Sequence, residues 1–168
     1  SVALLLWEKA KDFLERAFTV IFLATIVIWC LQTFDTRLNV VTDSQDSLLA
    51  MLAGVIAPVF APLGFGDWRM VTALVSGFTA KEAVVSTFGV ILGVSTEQLG
   101  IALHSLFTTA SAASFLAFCL LYTPCVAAVS TIKTELKSGW KTVGIVFAQC
   151  LVAWLAAFMV YHVGLLLT

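Results

Sequence analysis

The chain is 168 residues long, 61% of them hydrophobic and only 11% charged, and its mean hydropathy is +1.04. A soluble domain carries about a quarter charged residues and roughly half apolar ones, so this composition excludes an ordinary cytosolic enzyme and a disordered tail. Nine basic residues against ten acidic leave a net charge of −1, which is no electrostatic footprint for DNA or RNA. The natural solvent of this sequence is lipid.

Residues 2–16, VALLLWEKAKDFLER, predict an amphipathic helix at the membrane surface. Trp7, Ala10, Phe13 and Leu14 form one stripe, with Lys9, Lys11, Asp12, Glu15 and Arg16 around the rest. Because these charges precede the first long apolar run, the segment is not a signal peptide. With no initiator Met either, the chain reads as a segment of a longer protein. Residues 17–34 then give eighteen residues without charge, close to the minimum for a bilayer-spanning helix. After the polar stretch DTRLNVVTDSQDS, residues 48–63 carry Pro58 and Pro62 and predict a short interfacial helix, because proline ends or kinks a helix. GFGDWR, residues 64–69, reads as a turn with Trp68 near the headgroups.

Residues 70–94 are long enough to cross, but Thr79, Lys81 and Glu82 fall near the middle, so a broken helix is expected. Residues 99–132 are free of charge, too long for one straight span and too short for two connected ones. Thr123-Pro124 interrupts them, and TTASAAS at 108–114 suits close packing or a tight turn; a broken or re-entrant hairpin is expected. KTELKSGWK, residues 133–141, is a polar loop, and residues 142–163 form a final span ending in Tyr161 and His162 at an interface. The expected fold is all-α, a polytopic transmembrane bundle with broken or re-entrant helices and an N-terminal interfacial helix, in a single membrane domain over 1–168.

Lys and Arg set orientation. Lys9, Lys11 and Arg16 precede the first span and Lys133, Lys137 and Lys141 precede the last, whereas the 35–67 loop holds Asp35, Asp43, Asp46 and Asp67 against Arg37 alone. The positive-inside rule puts 1–16 and 133–141 in the cytoplasm and 35–67 outside. An odd number of crossings must then join 35–67 to 133, so one of the two middle segments does not cross completely. Incomplete crossings occur where backbone lines a cavity rather than lipid.

Residues 79–87, TAKEAVVST, and 123–131, TPCVAAVST, align without gaps at five identities in nine. Matching interruptions of related hydrophobic segments point to a transporter's binding site; chance recurrence of small and hydroxyl residues is the plainer alternative. Lys81 and Glu82 either form an internal ion pair or gate at the break, or snorkel to an interface. Cys125 is either a small buried hydrophobe or a soft ligand for a late divalent metal, with carbonyls freed by the preceding proline as further ligands. Cys30, Cys119 and Cys150 sit in apolar helix as packing residues, and Cys119 could share a helix face with Thr123. His104 is a possible second ligand outside the repeat, and His162 an interfacial residue. No CxxC pair, P-loop, dinucleotide fingerprint, HExxH or GxSxG is present, so the chain holds no nucleotide-binding or hydrolase motif and is not expected to be an enzyme.

WEKAKDFLERAFTVIFLATIVIW, APLGFGDWRMVTALVSGFTAKEAVVSTFGVILG, LLYTPCVAAVSTIKTELKSGWK and AWLAAFMVYHVG together resemble the C-terminal membrane half of the bacterial ferrous iron transport protein B family. The resemblance covers nearly the whole chain. It implies a longer polypeptide with a cytoplasmic G domain, a helical linker and two related gate halves in the cytoplasmic (inner) membrane, of which this chain is the second. GTP and Mg would enter only through that G domain. Fe(II) is the transported ion that the resemblance implies, and Cys125 is the iron-handling residue of the second gate motif. On this reading Fe(II) loses part of its hydration to Cys125 and to carbonyls at Thr123 and Pro124. Ser130 and Thr131, with Ser86 and Thr87 from the other copy, supply further oxygens, while Thr79, Lys81 and Glu82 hold the break or gate the path. Implied partners are the lipid bilayer, the first gate half, small cytoplasmic accessory proteins and a second copy in a homo-oligomer. Two other classes compete: a transporter of another substrate such as a nucleoside, which needs a set of Asn, Gln or Glu that neither interruption offers, and a membrane anchor or dimerisation scaffold.

Overall fold

The computed structural model describes residues 2–37, 39–122 and 125–167. Eight α-helices run in chain order among them: α1 (Val2–Thr33), α2 (Leu48–Phe60), α3 (Trp68–Gly77), α4 (Ala83–Leu92), α5 (Thr96–Leu106), α6 (Thr109–Leu121), α7 (Val126–Leu136) and α8 (Gly139–Leu167). The fold is an all-α membrane bundle. Among the described residues, three stretches are long and apolar enough to cross a bilayer, namely Leu4–Thr33, Thr109–Leu136 and Gly139–Leu167. Two further pairs qualify only jointly and are sharply bent, α2 with α3 by 102° and α4 with α5 by 79°.

The surface helix expected over 2–16 and the span expected over 17–34 are one element. Nothing between Val2 and Thr33 is glycine or proline, so no residue stops the helix where its composition turns from amphipathic to apolar. At 1.5 Å per residue α1 is about 48 Å long, more than a hydrocarbon core needs. Beyond it, the Asp35 carboxylate accepts the backbone N–H groups of Arg37 (2.5 Å) and Asn39 (3.2 Å), and Ser47 caps α2 through the Ala50 N–H (3.2 Å). Pro58 is tolerated in the last turn of α2, and Pro62 lies in a 3₁₀ turn over Ala61–Leu63 that closes on left-handed Gly64 (φ 83°). A Cβ on Gly64 would fall on the Tyr161 ring of α8, so this corner needs glycine for both backbone and space. Asp67 then caps α3 by accepting the Arg69 N–H at 2.8 Å.

The stretch 99–132 is divided twice. Thr108 and Ser111 form a reciprocal capping box that starts α6 and separates it from α5. The second division separates α6 from α7 around Tyr122 and Cys125.

Close packing of α6 against α8 holds the bundle together. Ala110 and Ser114 meet Ala157 and Gly164: Ser114 donates to the Ala157 carbonyl at 2.9 Å, and a Cβ on Gly164 would lie 3.0 Å from that of Ala110. Small residues let backbones approach where lipid gives no hydrophobic drive between helices, which is the role expected of the TTASAAS stretch. Beside this seam lies an aromatic core in which Phe60, Phe65, Phe115 and Phe118 pack edge to face, with ring centroids 5.2 Å (Phe60–Phe118) and 5.3 Å (Phe65–Phe115) apart.

The crossing-number conflict disappears in this architecture. Lys9, Asp12 and Phe13 near the start of α1 share a small cavity with Ser130, Thr131 and Glu135 near the end of α7. The two lysine-rich stretches therefore lie at the same end of the bundle, as they do if α1 and α6–α7 are the two crossings between them and both bent pairs are re-entrant.

Candidate functional site

The two interruptions meet. In the first, α3 closes at Gly77 because Thr79 turns back on it: both its N–H (3.1 Å) and its hydroxyl (2.7 Å) donate to the Ser76 carbonyl. The chain restarts through Ala83 N–H to Ala80 C=O (2.9 Å) and Val84 N–H to Lys81 C=O (3.2 Å). The break takes the usual helical donor away from the Phe78 carbonyl. In the second, Val126 opens α7 with an N–H that has no partner in its own helix. Val126 N–H donates to Phe78 C=O at 3.1 Å, so each break supplies the group the other lacks.

A second link crosses the same gap. The Leu120 carbonyl would be served in a continuous helix by the residue four further on, which is Pro124 and has no N–H. Lys81 fills that place, its Nζ donating to the carbonyls of Cys119 (2.9 Å) and Leu120 (3.3 Å). A cation at a helix C-terminus is also favoured by the helix dipole. The ammonium stands 5.2 Å from the Tyr122 ring centroid, within cation–π range. Tyr122 stacks on Phe118 and donates its hydroxyl to the Leu74 carbonyl at 3.3 Å, binding the end of α6 to α3. Gly77 leaves room for this contact: a Cβ there would be 3.0 Å from the Tyr122 Oη and would strike Val84.

Thr79 and Lys81 are thus at the junction with the start of α7, where Cys125 is half-buried in the N-cap position and its carbonyl accepts the Val129 N–H at 3.1 Å. Thr123 and Pro124 lie outside the described residues. Glu82 is exposed at the start of α4; among the described residues Lys81 bonds to carbonyls and not to Glu82. On α4, Ser86 is exposed and Thr87 buried. Ser130 and Thr131 both donate to the Ala127 carbonyl, at 2.7 and 3.1 Å, and face a polar cavity of about 160 Å³ beside α1. The nine-residue match therefore places its Thr–Lys and Cys positions together and its Ser–Thr ends apart.

A larger cavity of about 490 Å³ opens beside Lys81, walled by α4, α5 and α6. Phe88, Phe107 and Phe115 make it apolar, and Lys81, His104 and Cys119 are on its lining. Among the described residues no three His, Cys, Asp or Glu side chains come together. Polar chemistry at the junction therefore rests mainly on backbone oxygens. Sequence reasoning missed Tyr122, Gly77 and the α6 carbonyls; the signal for the last was present, since a proline removes the donor owed to the residue four before it.

A family model described as "Gate: Nucleoside recognition" matches residues 14–139. The chain belongs to the Gate family. Among its relatives, "Fe(2+) transporter FeoB" of Staphylococcus aureus (strain COL) is 38% identical over 159 residues, 94% of this chain and 24% of that protein. The protein of the same name from Methanocaldococcus jannaschii is 33% identical over 168 residues, 96% of this chain and 25% of its own length. A "Fe(2+) transport protein A/Fe(2+) transporter FeoB fusion protein" from Porphyromonas gingivalis is 29% identical over 215 residues, covering 99% of this chain and 25% of the fusion. The resemblance read from the four stretches is borne out: this Gate domain matches part of the membrane region of FeoB proteins and spans about a quarter of their length. No solved structure matches it significantly. With its several long apolar helices, the Gate domain is part of a multi-pass membrane protein.

Proposed function

We propose that this Gate domain is the second gate half of a ferrous iron transporter and forms part of the Fe(II) permeation path, driven or regulated by a GTPase domain elsewhere in the polypeptide. The observation that carries the reading is the junction of the two breaks, Val126 N–H on Phe78 C=O with Lys81 on the α6 carbonyls. Irregular backbone at membrane depth is tolerated where it lines a path, and broken helices put peptide dipoles there. In this reading Cys125 and the neighbouring carbonyls, those of Thr123 and Pro124 included, replace part of the hydration shell of Fe(II). Thiolate is a fitting ligand for a late divalent metal, and one thiolate among oxygens binds weakly enough to let the ion leave. Lys81 and Glu82 gate the path. Ser130 and Thr131 serve it from the α7 side and Ser86 and Thr87 from the α4 side.

The end of the bundle carrying Lys9, Lys11, Lys133, Lys137 and Lys141 faces the cytoplasm in this reading, in a bacterial inner membrane. A small accessory protein of the same system docks there; the Porphyromonas gingivalis relative, in which such a protein is fused, supports that partner. A nucleoside path is disfavoured by the larger cavity, whose lining among the described residues holds no Asn, Gln, Asp or Glu to read a base and sugar. A mere anchor has no use for a cation held at a helix break, because a charge inside a membrane is costly. Cys125→Ser in the full-length transporter tests the reading. Fe(II) uptake into proteoliposomes is expected to fall about tenfold with GTP hydrolysis unchanged; unaltered uptake would remove Cys125 from the path.

A further inference from the structure

Two backbone carbonyls and one aromatic face converge on a single point at the end of α6, and that point already holds a cation. The Lys81 ammonium is 2.9 Å from the Cys119 oxygen, 3.3 Å from the Leu120 oxygen and 5.2 Å from the Tyr122 ring centroid. We propose that the Cys119 and Leu120 carbonyls form a binding site for a partly dehydrated divalent cation, which the Lys81 ammonium occupies as a tethered plug. The proposal rests on the iron-path reading and adds to it a site and the means by which that site is kept shut.

Several features support it. The Leu120 carbonyl is owed its helical donor by Pro124, which has no N–H, so its lone pairs stay available to whatever cation is near. Lys81 is held by ion–dipole bonds and not by a carboxylate among the described residues, so nothing of opposite full charge locks it in place. A divalent ion interacts with the same dipoles roughly twice as strongly as an ammonium does, and repels the ammonium from a shared position. Lys81 lines the cavity of about 490 Å³, which gives its flexible stem room to withdraw. The plug also sits two residues from Thr79 and three from Phe78, whose carbonyl ties α7 in place, so its departure loosens the junction that Cys125 adjoins.

The test compares Lys81→Met and Lys81→Arg in the full-length transporter reconstituted in liposomes, with Fe(II) itself as the probe. In the Met variant, nucleotide-independent Fe(II) flux is expected to rise about tenfold over the unaltered protein, whereas the Arg variant stays closed. Flux in the Met variant no higher than in the unaltered protein overturns the plug, as does equal leakage through the Arg variant. Should Lys81→Met fail to fold, Lys81→Gln takes its place; failure of both marks Lys81 as a structural cap and overturns the plug as well. GTP-driven uptake by the unaltered protein is measured beside these. Its presence without leakage in the Met variant condemns the plug alone, and its absence condemns the iron-path reading.

Discussion

The breaks at 78–82 and 122–125 share a sequence pattern and differ in how their backbone is satisfied. The first is largely self-contained: Thr79 closes α3 onto Ser76, and the Ala80–Ala83 turn starts α4. The second depends on the first, taking a carbonyl from Phe78 for Val126 and an ammonium from Lys81 for Cys119 and Leu120. Two copies of one pattern have thus become a support and a dependent. What separates them is the local chemistry between the matching threonines and alanines, Ala-Lys-Glu in one and Pro-Cys-Val in the other. Proline removes a donor and lysine supplies a mobile one, so the deficiency of one copy is met by the surplus of the other.

Three substitutions sharpen that asymmetry, each read as unfolding stability of the domain in detergent. Gly77→Leu should have the largest effect, costing about 1–3 kcal/mol by overpacking, because its side chain enters the space between Val84 and Tyr122 and pushes the breaks apart. A neutral result would mean that the two breaks are not held in contact. Thr79→Val comes next, at about 0.5–1.5 kcal/mol, since the Ser76 carbonyl loses a hydroxyl donor but keeps the Thr79 N–H. Its effect should stay within the first break and leave the Cys125 thiol's reactivity toward a maleimide unchanged; a large change there would show that the first break is not self-contained. Tyr122→Phe should be smallest, at about 0.5–1 kcal/mol, because only the 3.3 Å bond to Leu74 is lost while the ring keeps its stacking on Phe118. In contrast to Thr79→Val, it should raise thiol reactivity at Cys125, because it frees the end of α6.

Much of the site could be read from residue types. Lys81 in an apolar stretch marks a place where the chain cannot simply cross, and Thr123-Pro124 marks another. The small residues at 108–114 announced the close seam that α6 makes with α8. Other features were not legible because they depend on distance through space. An ion pair or gate at the break and snorkelling to an interface were all open for Lys81 and Glu82, and residue order could not show that the Lys81 bonds go to carbonyls 38 and 39 residues away. That Ser130 and Thr131 line a small cavity together with Lys9, Asp12 and Phe13 of α1 is likewise a matter of packing and not of residue order. The boundary between surface helix and span was drawn from composition alone, and composition changes without any residue that would stop α1.

The amino-acid sequence on its own determined that this chain lives in lipid, that it is helical, and where its helices must fail, because hydropathy, missing N–H groups and charge are properties of residues in order. Tertiary packing decided which orphaned group meets which. A broken helix must satisfy its polar backbone somewhere, and only the arrangement of α3, α4, α6 and α7 brings the Phe78 carbonyl to Val126 and the Lys81 ammonium to the end of α6.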